Sequence, residues 1–469
     1  MEQIAAVLGE KGLIADPDEM TPFVTDFRGR MVGAADVVAL PGTTEEVAAV
    51  VAIAREHGTA IFPLGGNTGL CCGAVPTVPA GRPALVLGLG RLNALRAVDR
   101  SANVITVEAG MTLARVRELA AAEGRRFPLR LGSEGTAQIG GLLSTNAGGT
   151  GALRYGPMRD LVCGIEAVLP DGRIFRDLNA LRKDNTGYDL KHLLIGAEGT
   201  LGVVTAAALR LHQPIRSRAH GWISLAGPAA AVELLSRLQD RCGDSIETFE
   251  MLNGAEVDCV LQHIPRARLP FEATPAWSVM IELGHSDPDA GLNAALEAVM
   301  ADALEAGLAD DAVIAQNETQ AQEIWHIRHS VTEAHRIDGV GIVHDIAVPT
   351  SAVPAFIAAA DEMSAKRFRE ARVLVVSHLG DGNVHYTLMF PHAYWQSLPV
   401  CEAKALEVEQ AVHDIAVGFG GTISAEHGIG RKLTSELERL GDPVKLAVMR
   451  TIKRALDPEN MMNPGALVA

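Results

Sequence analysis

The sequence predicts an α+β protein of at least two domains, and three observations carry that expectation. A strand–helix–strand unit occupies residues 37–64, glycine is clustered in the N-terminal half, and a fresh alternation of amphipathic helices and strands begins after Pro214. A chain of 469 residues is also long for a single hydrophobic core. Hydrophobic residues at 48% and charged residues at 21% are proportions that a globular chain has.

Taken in order, residues 37–40 read as a strand, and Thr43 with Glu46 forms a capping box for a helix over 47–57 that Gly58 can end. Residues 59–64 make the return strand, so a right-handed parallel crossover is expected. Strands follow over 84–112, clearest at 104–110, and then a helix over 113–123 that ends near Gly124. Strands at 162–169 and 201–211 flank an Asp171-Gly172 turn. Beyond Pro214, apolar spacing predicts helices near 227–240, 290–306, 353–366 and 400–417, with strands near 219–224, 276–284, 342–348 and 372–378. The tail over 456–465 is turn-rich.

Composition narrows the function. A net charge of −16 argues against nucleic acid or an anionic membrane surface as the main partner. Aromatics at 4% do not supply stacking platforms for single strands. The first residues show neither a basic, apolar secretory leader nor an acidic-poor transit pattern, and no apolar run reaches membrane-spanning length. Cysteines 71, 72, 163, 242, 259 and 401 form no Cys-x-x-Cys, which suits reduced thiols in a cytoplasmic protein.

Residues 378–385, His-Leu-Gly-Asp-Gly-Asn-Val-His, carry the densest chemistry. Apolar runs at 373–376 and 386–390 flank Asp381-Gly382, a pair suited to a two-residue type I′ turn. Centred there, the hairpin sets His378 opposite His385, where two imidazoles could hold one metal ion; the plainer reading is two histidines beside a tight turn. Later, Glu426-His427 sits in a glycine-lined stretch. Glu426 could complete a His-His-Glu site with open positions, leaving His427 for proton chemistry; taken alone, the pair reads as an exposed one before a helix.

Three glycine-rich stretches lie in the N-terminal half. They are Pro-Leu-Gly-Gly-Asn-Thr-Gly at 63–69, the region 132–149, and Glu-Gly-Thr-Leu-Gly at 198–202. The first is neither a Walker loop, lacking the Gly-Lys-Ser/Thr ending, nor a Gly-x-Gly-x-x-Gly fingerprint. Together they suggest backbone contact along an extended dinucleotide such as FAD. Cys71-Cys72 sits beside the first loop, where packing is expected rather than a flavin tether. Arg328 and Thr332, four apart on a helical segment, suit a carboxylate, with a surface ion pair as the plain alternative for Arg328.

With Arg154-Tyr155-Gly156, residues 185–189 (Asn-Thr-Gly-Tyr-Asp), residues 196–202 and Asn463-Pro464-Gly465 added in order, the chain resembles the FAD-binding flavoproteins of the vanillyl-alcohol oxidase and p-cresol methylhydroxylase (PCMH) superfamily. Within it, the chain is similar to the FAD-dependent D-2-hydroxyacid dehydrogenases, the branch of D-lactate and D-2-hydroxyglutarate dehydrogenases. The resemblance implies a two-part PCMH-type FAD-binding domain at 1–212, an α+β cap holding substrate and metal at 213–422, and a segment at 423–469 that returns to the FAD domain. It places the FAD pyrophosphate along Pro63, Gly65, Gly66, Asn67, Thr68 and Gly69. Other flavin contacts are expected from Ser133, Thr136, Gly140, Gly141, Thr145, Asn146, Gly149, Val203 and Val204, with Asn463 near the ring. No histidine stands in 63–69, so FAD is expected to be noncovalent.

The resemblance also implies His378, His385 and Glu426 as ligands of a divalent metal, zinc first, with manganese or iron as alternatives. His427 is the implied base, and hydride passes from C2 of the substrate to flavin N5. Arg328 and Thr332 are implied substrate contacts, which favours D-2-hydroxyglutarate, with His344 and Thr387 beside them. His329 and His335 are further cavity candidates. Two positions depart from the hydroxyglutarate-type pattern: Val343 and His344 stand where a lysine is common, and Thr387 where asparagine is. A D-lactate or glycolate type of substrate therefore stays open. So do a non-redox role like that of alkyl-glycerone-phosphate synthase, a flavin subunit of a larger assembly, and a metal-dependent hydrolase. The implied partners are a small 2-hydroxy acid and an electron acceptor (an electron-transferring flavoprotein, a quinone or a cytochrome). A homodimer is compatible with the chain.

Overall fold

The computed structural model describes residues 1–78, 81–181 and 183–468. The chain divides into two compact units. The first comprises Met1–Gly149, Tyr155–Pro214 and Glu426–Ala469; the second comprises Thr150–Arg154 and Ile215–Ala425. No helix among the described residues is long and apolar enough to cross a membrane.

The first unit holds two sheets. One contains β1 (Leu13–Ile14), β2 (Val37–Ala39), β3 (Ala60–Leu64) and β4 (Ala84–Gly88) in the order β1-β2-β4-β3. β4 is parallel to both β2 and β3. The crossover from β2 therefore skips one place, which β4 fills. The helix Thr44–Glu56 begins as its cap predicts, with Thr43 accepting from the Glu46 amide. The Glu46 carboxylate reaches one residue further back than a standard capping box, to the Gly42 N–H at 2.6 Å. Residues β2–β4 are buried on both faces, so they read as apolar runs rather than alternating ones.

The second sheet contains β5 (Leu95–Asp99), β6 (Val104–Glu108), β7 (Val162–Val168), β8 (Ile174–Asp177) and β9 (Val203–Arg210), antiparallel in the order β5-β6-β9-β7-β8. The C-terminal segment joins the first sheet. Ile61 donates its N–H to Met461 and accepts from Asn463, each at 2.8 Å. Buried Lys453 fastens that segment by donating to Asp457 and to the carbonyls of Thr200 and Met462. A buried ammonium with three acceptors costs far less than an unpaired one.

The second unit is built on one antiparallel sheet. Its strands are β10 (Ser217–Leu225), β11 (Ile246–Asn253), β12 (Trp277–His285), β13 (Ala309–Ile314), β14 (Val340–Ala347), β15 (Arg372–His378) and β16 (Asn383–Phe390), in the order β13-β10-β12-β11-β15-β16-β14. Strand alternation sorts its side chains. Phe249, Val375, Val384, Tyr386 and Ile346 join the core that includes the helices Pro228–Cys242, Leu292–Glu305, Val353–Arg367 and Cys401–Gly418. Leu252, Leu374, Val376 and Met389 join the opposite core, with the helices Gly254–His263 and Glu318–Asp338.

Candidate active site

The candidate residues fall into two groups, one in each unit. In the first unit they wall an open cleft. It is lined by Pro63, Gly65 to Gly69, Gly140, Gly141, Thr145, Val203, Val204, His427 and Asn463, among others. The wall has the small-residue character that a dinucleotide needs. A Cβ built on Gly69 or Gly141 would meet nothing within 4 Å, so the missing side chains leave the backbone open to a ligand. Gly66 differs, because its Cβ would come 2.0 Å from the Thr136 carbonyl oxygen.

Four expected contacts do not line the cleft and instead shape it. Ser133 accepts from Thr136 and Ala137 in a turn, and Thr136 presses its carbonyl on Gly66. Asn146 caps the helix Ile139–Thr145 in the left-handed conformation and binds the Arg159 N–H at 2.8 Å. Gly149 donates its N–H to Glu426 at 2.6 Å. Asn463 does line the cleft, but its amide is committed to the protein. It donates to the Gly73 and Glu198 carbonyls and accepts from Arg431.

A further residue escaped the sequence reading. Glu198 is half-buried with φ of 51°, and its carboxylate accepts the N–H groups of Ile429 and Gly430 at 2.8 and 2.7 Å. Burial pushes its pKa up, against the pull of those two bonds. The carboxylate thereby holds the turn that carries His427.

Gly141→Val is expected to fold and to purify with little bound flavin, because the added atoms enter only the cleft. Gly66→Ala is expected to lose flavin and thermal stability together, since its methyl meets backbone. Flavin absorbance per protein and Tm measure the difference.

In the second unit the hairpin differs from the expected one. His378 pairs with Asn383, and Val376 pairs with His385. Positive φ occurs at Gly382 (78°) but not at Asp381, so a type I′ turn cannot form. Leu379–Asp381 instead makes a 3-10 turn closed by left-handed Gly382, where a Cβ would lie 2.1 Å from the Val348 carbonyl oxygen. The register moves by two residues, which preserves side-chain parity. His378 and His385 still share a face, now as diagonal neighbours with ring centroids 5.4 Å apart at 83°.

Their flanks are acidic. Glu250 pairs directly with His378 across β11 and β15, and its Oε1 lies 2.6 Å from His378 Nδ1. Its Oε2 accepts from Arg328 Nε at 2.6 Å. Burial would raise the Glu250 pKa, but His378 and Arg328 more than offset it and hold the carboxyl well below its ordinary range. Asp345 pairs with His385 across β14 and β16, 3.8 Å from its Nδ1, and accepts from Asn383 at 3.0 Å. A polar row thus crosses four neighbouring strands. Two imidazoles backed by carboxylates are the donor chemistry of a divalent-cation site.

Thr387 lies on the same sheet face as His385, fully buried, and Thr332 is exposed one helical turn from Arg328. His344 is corrected: it points to the other face of the sheet, 1% exposed, with Nδ1 on the Tyr386 carbonyl and its ring edge-on to His413. It sits opposite Tyr386, one position out of phase with His385. Of the other candidates, His329 stacks on Trp325, and His335 bonds both oxygens of buried Glu256. Cys259, His263 and Asp338 also bring donor atoms within 4.8 Å of one another. There Arg372 donates to Asp338 at 2.7 Å and burial pushes the Cys259 thiol up to about 12, so the group is an ion-pair cluster.

The FAD binding domain family matches residues 35–177, and the family "FAD linked oxidases, C-terminal domain" matches 216–467. The chain is 33% identical to the mitochondrial D-2-hydroxyglutarate dehydrogenase of Arabidopsis thaliana, covering 98% of this chain and 79% of that protein. It is 36% identical to the D-2-hydroxyglutarate dehydrogenase of Xanthomonas citri pv. viticola, covering 97% and 94%. Substrate-bound p-cresol methylhydroxylase superposes with a TM-score of 0.76 at 16% identity, covering 99% of this chain and 95% of that one. The fold is that of a PCMH-type flavoprotein. The chain belongs to the FAD-linked D-2-hydroxyacid dehydrogenase family.

Proposed function

We propose that the protein oxidises D-2-hydroxyglutarate to its 2-oxo acid. The observation that carries this is a half-buried Arg328 held over the sheet face that bears His378 and His385. A guanidinium there suits a carboxylate, and the neighbouring imidazoles suit a cation that a 2-hydroxy acid can chelate. Relatives named for D-2-hydroxyglutarate support the choice of acid.

In this reading FAD lies noncovalently against Pro63, Gly65 to Gly69, Gly140, Gly141, Thr145, Val203 and Val204, and zinc is held by His378, His385 and Glu426. Support for Glu426 comes from its neighbour Ala425, whose N–H is fixed to the Asp345 carbonyl at 2.9 Å. When bound, FAD supplies the hydride acceptor and the metal supplies positive charge that acidifies a hydroxyl. Arg328 binds and orients the acid through a carboxylate, with Thr332 beside it. His427 takes the hydroxyl proton. The six free cysteines suit a reducing compartment, the cytoplasm in this reading, although the Arabidopsis relative is named mitochondrial. Electrons would leave to an electron-transferring flavoprotein, a quinone or a cytochrome, and a homodimer is the proposed assembly.

One observation favours a second reading, a D-lactate type of monocarboxylate. On the face of β14 shared with Asp345, the strand offers Gly341 and Val343, neither of which can bind a second carboxylate. Anaerobic addition of D-2-hydroxyglutarate, D-lactate or D-malate to separate yellow samples decides between them. D-2-hydroxyglutarate is expected to bleach the flavin, and Arg328→Ala to raise KM about tenfold or more through loss of a charged hydrogen bond. Bleaching by D-lactate alone would favour the second reading. No bleaching by any of the three, or an unchanged KM in the variant, would count against the proposal.

A further inference from the structure

Glu250 lies on β11 with its carboxylate fully buried, and each of its oxygens has a different partner. One is 2.6 Å from His378 Nδ1 and the other 2.6 Å from Arg328 Nε. His378 is reached through a direct cross-strand pair, and Arg328 is carried on the helix Glu318–Asp338, which packs on that face. A carboxylate at Nδ1 fixes the proton there, so only Nε2 can present a lone pair to a cation. The same carboxylate takes the Nε edge of the guanidinium, so the edge left to face a ligand is the one with the two terminal amino groups.

We propose that Glu250 is a positioning residue for two functions at once: it sets the His378 tautomer for metal binding and aims Arg328 at the substrate carboxylate. This rests on the functional reading above and extends it to a residue outside the ligand set. It predicts that metal retention and substrate affinity are coupled through a side chain that touches neither ligand.

Glutamine tests the idea because it keeps the shape and cannot accept from both partners with equal strength. Its amide N–H must face either His378, moving the imidazole proton to Nε2, or Arg328, where two donors would meet. Glu250→Gln is expected to lower zinc affinity in the purified flavoprotein by about 10- to 100-fold, as loss of a carboxylate behind a metal-bound histidine commonly does. KM should rise several-fold in the same protein. Flavin content should stay at the wild-type level, which a merely structural role would not ensure. Zinc is measured by elemental analysis after dialysis against a graded chelator, flavin by absorbance, and KM by steady-state turnover. Glu250→Asp retains the charge but withdraws it by one methylene, and serves if the glutamine variant fails to fold; the same paired losses are expected. Wild-type protein that retains zinc and turns over, beside variants with unaltered zinc affinity and KM, would overturn the Glu250 assignment alone. Wild-type protein that holds no metal and is not reduced by any 2-hydroxy acid would overturn that assignment together with the functional reading.

Discussion

His378→Ala is expected to yield a yellow protein that has lost its metal and is no longer reduced by substrate. FAD is proposed to bind the glycine cleft of the first unit, whereas His378 belongs to the sheet of the second, so flavin loading should survive. A Lewis-acid contribution of several kcal/mol, at about 1.4 kcal/mol per factor of ten, sets the loss in kcat/KM at roughly 10³-fold or more. The variant also removes one of the two hydrogen-bond partners of fully buried Glu250, so a lower Tm should accompany the loss. His344→Ala is the matching control. It deletes an imidazole from the same sheet, two strands from β15 but on the opposite face, and should reduce Tm while leaving zinc content intact. Elemental analysis and stopped-flow flavin reduction separate the two variants. Full turnover of the alanine variant in metal-free buffer would remove His378 from the ligand set.

The contrast between these histidines shows what the sequence could and could not convey. Period-two alternation made the shared face of His378 and His385 legible, and it survived a wrong turn because the register error was an even number of residues. An odd error would have separated them. The same parity rule places His344 on the opposite face, but applying it required the pairing of β14 with β16, which no local signal states. Glycine clusters marked the cleft wall, yet whether a glycine faces ligand or backbone depends on distant residues: Gly66 abuts Thr136, whereas Gly141 faces open space. Glu250 stayed hidden because β11 was not recognised as a strand. Its sequence, Ile-Glu-Thr-Phe-Glu-Met-Leu-Asn, puts glutamates among apolar residues, and an acid that a strand must bury is a sign of a partner elsewhere. The partners, His378 and Arg328, are 128 and 78 residues away. Glu198 was missed for a related reason: it stands among the glycines of a motif read for its backbone, and its carboxylate acts on residues more than 200 positions later.

His427→Gln is expected to lower kcat by about 10²- to 10⁴-fold, the usual range for loss of a positioned general base. KM should change little, because Arg328, Thr332 and the metal ligands are untouched, and flavin should remain bound. The pH profile carries the diagnostic. A base must be unprotonated to accept the hydroxyl proton, so wild-type kcat/KM should fall as pH falls, and this acid limb should be absent from the variant. Glu198→Gln provides the comparison. It keeps the imidazole but leaves one acceptor oxygen where two now hold the N–H groups of Ile429 and Gly430, so the turn carrying His427 is held less firmly. Activity should fall in that protein with the acid limb still present. An acid limb that persists unchanged in His427→Gln would assign proton transfer to another group in the site.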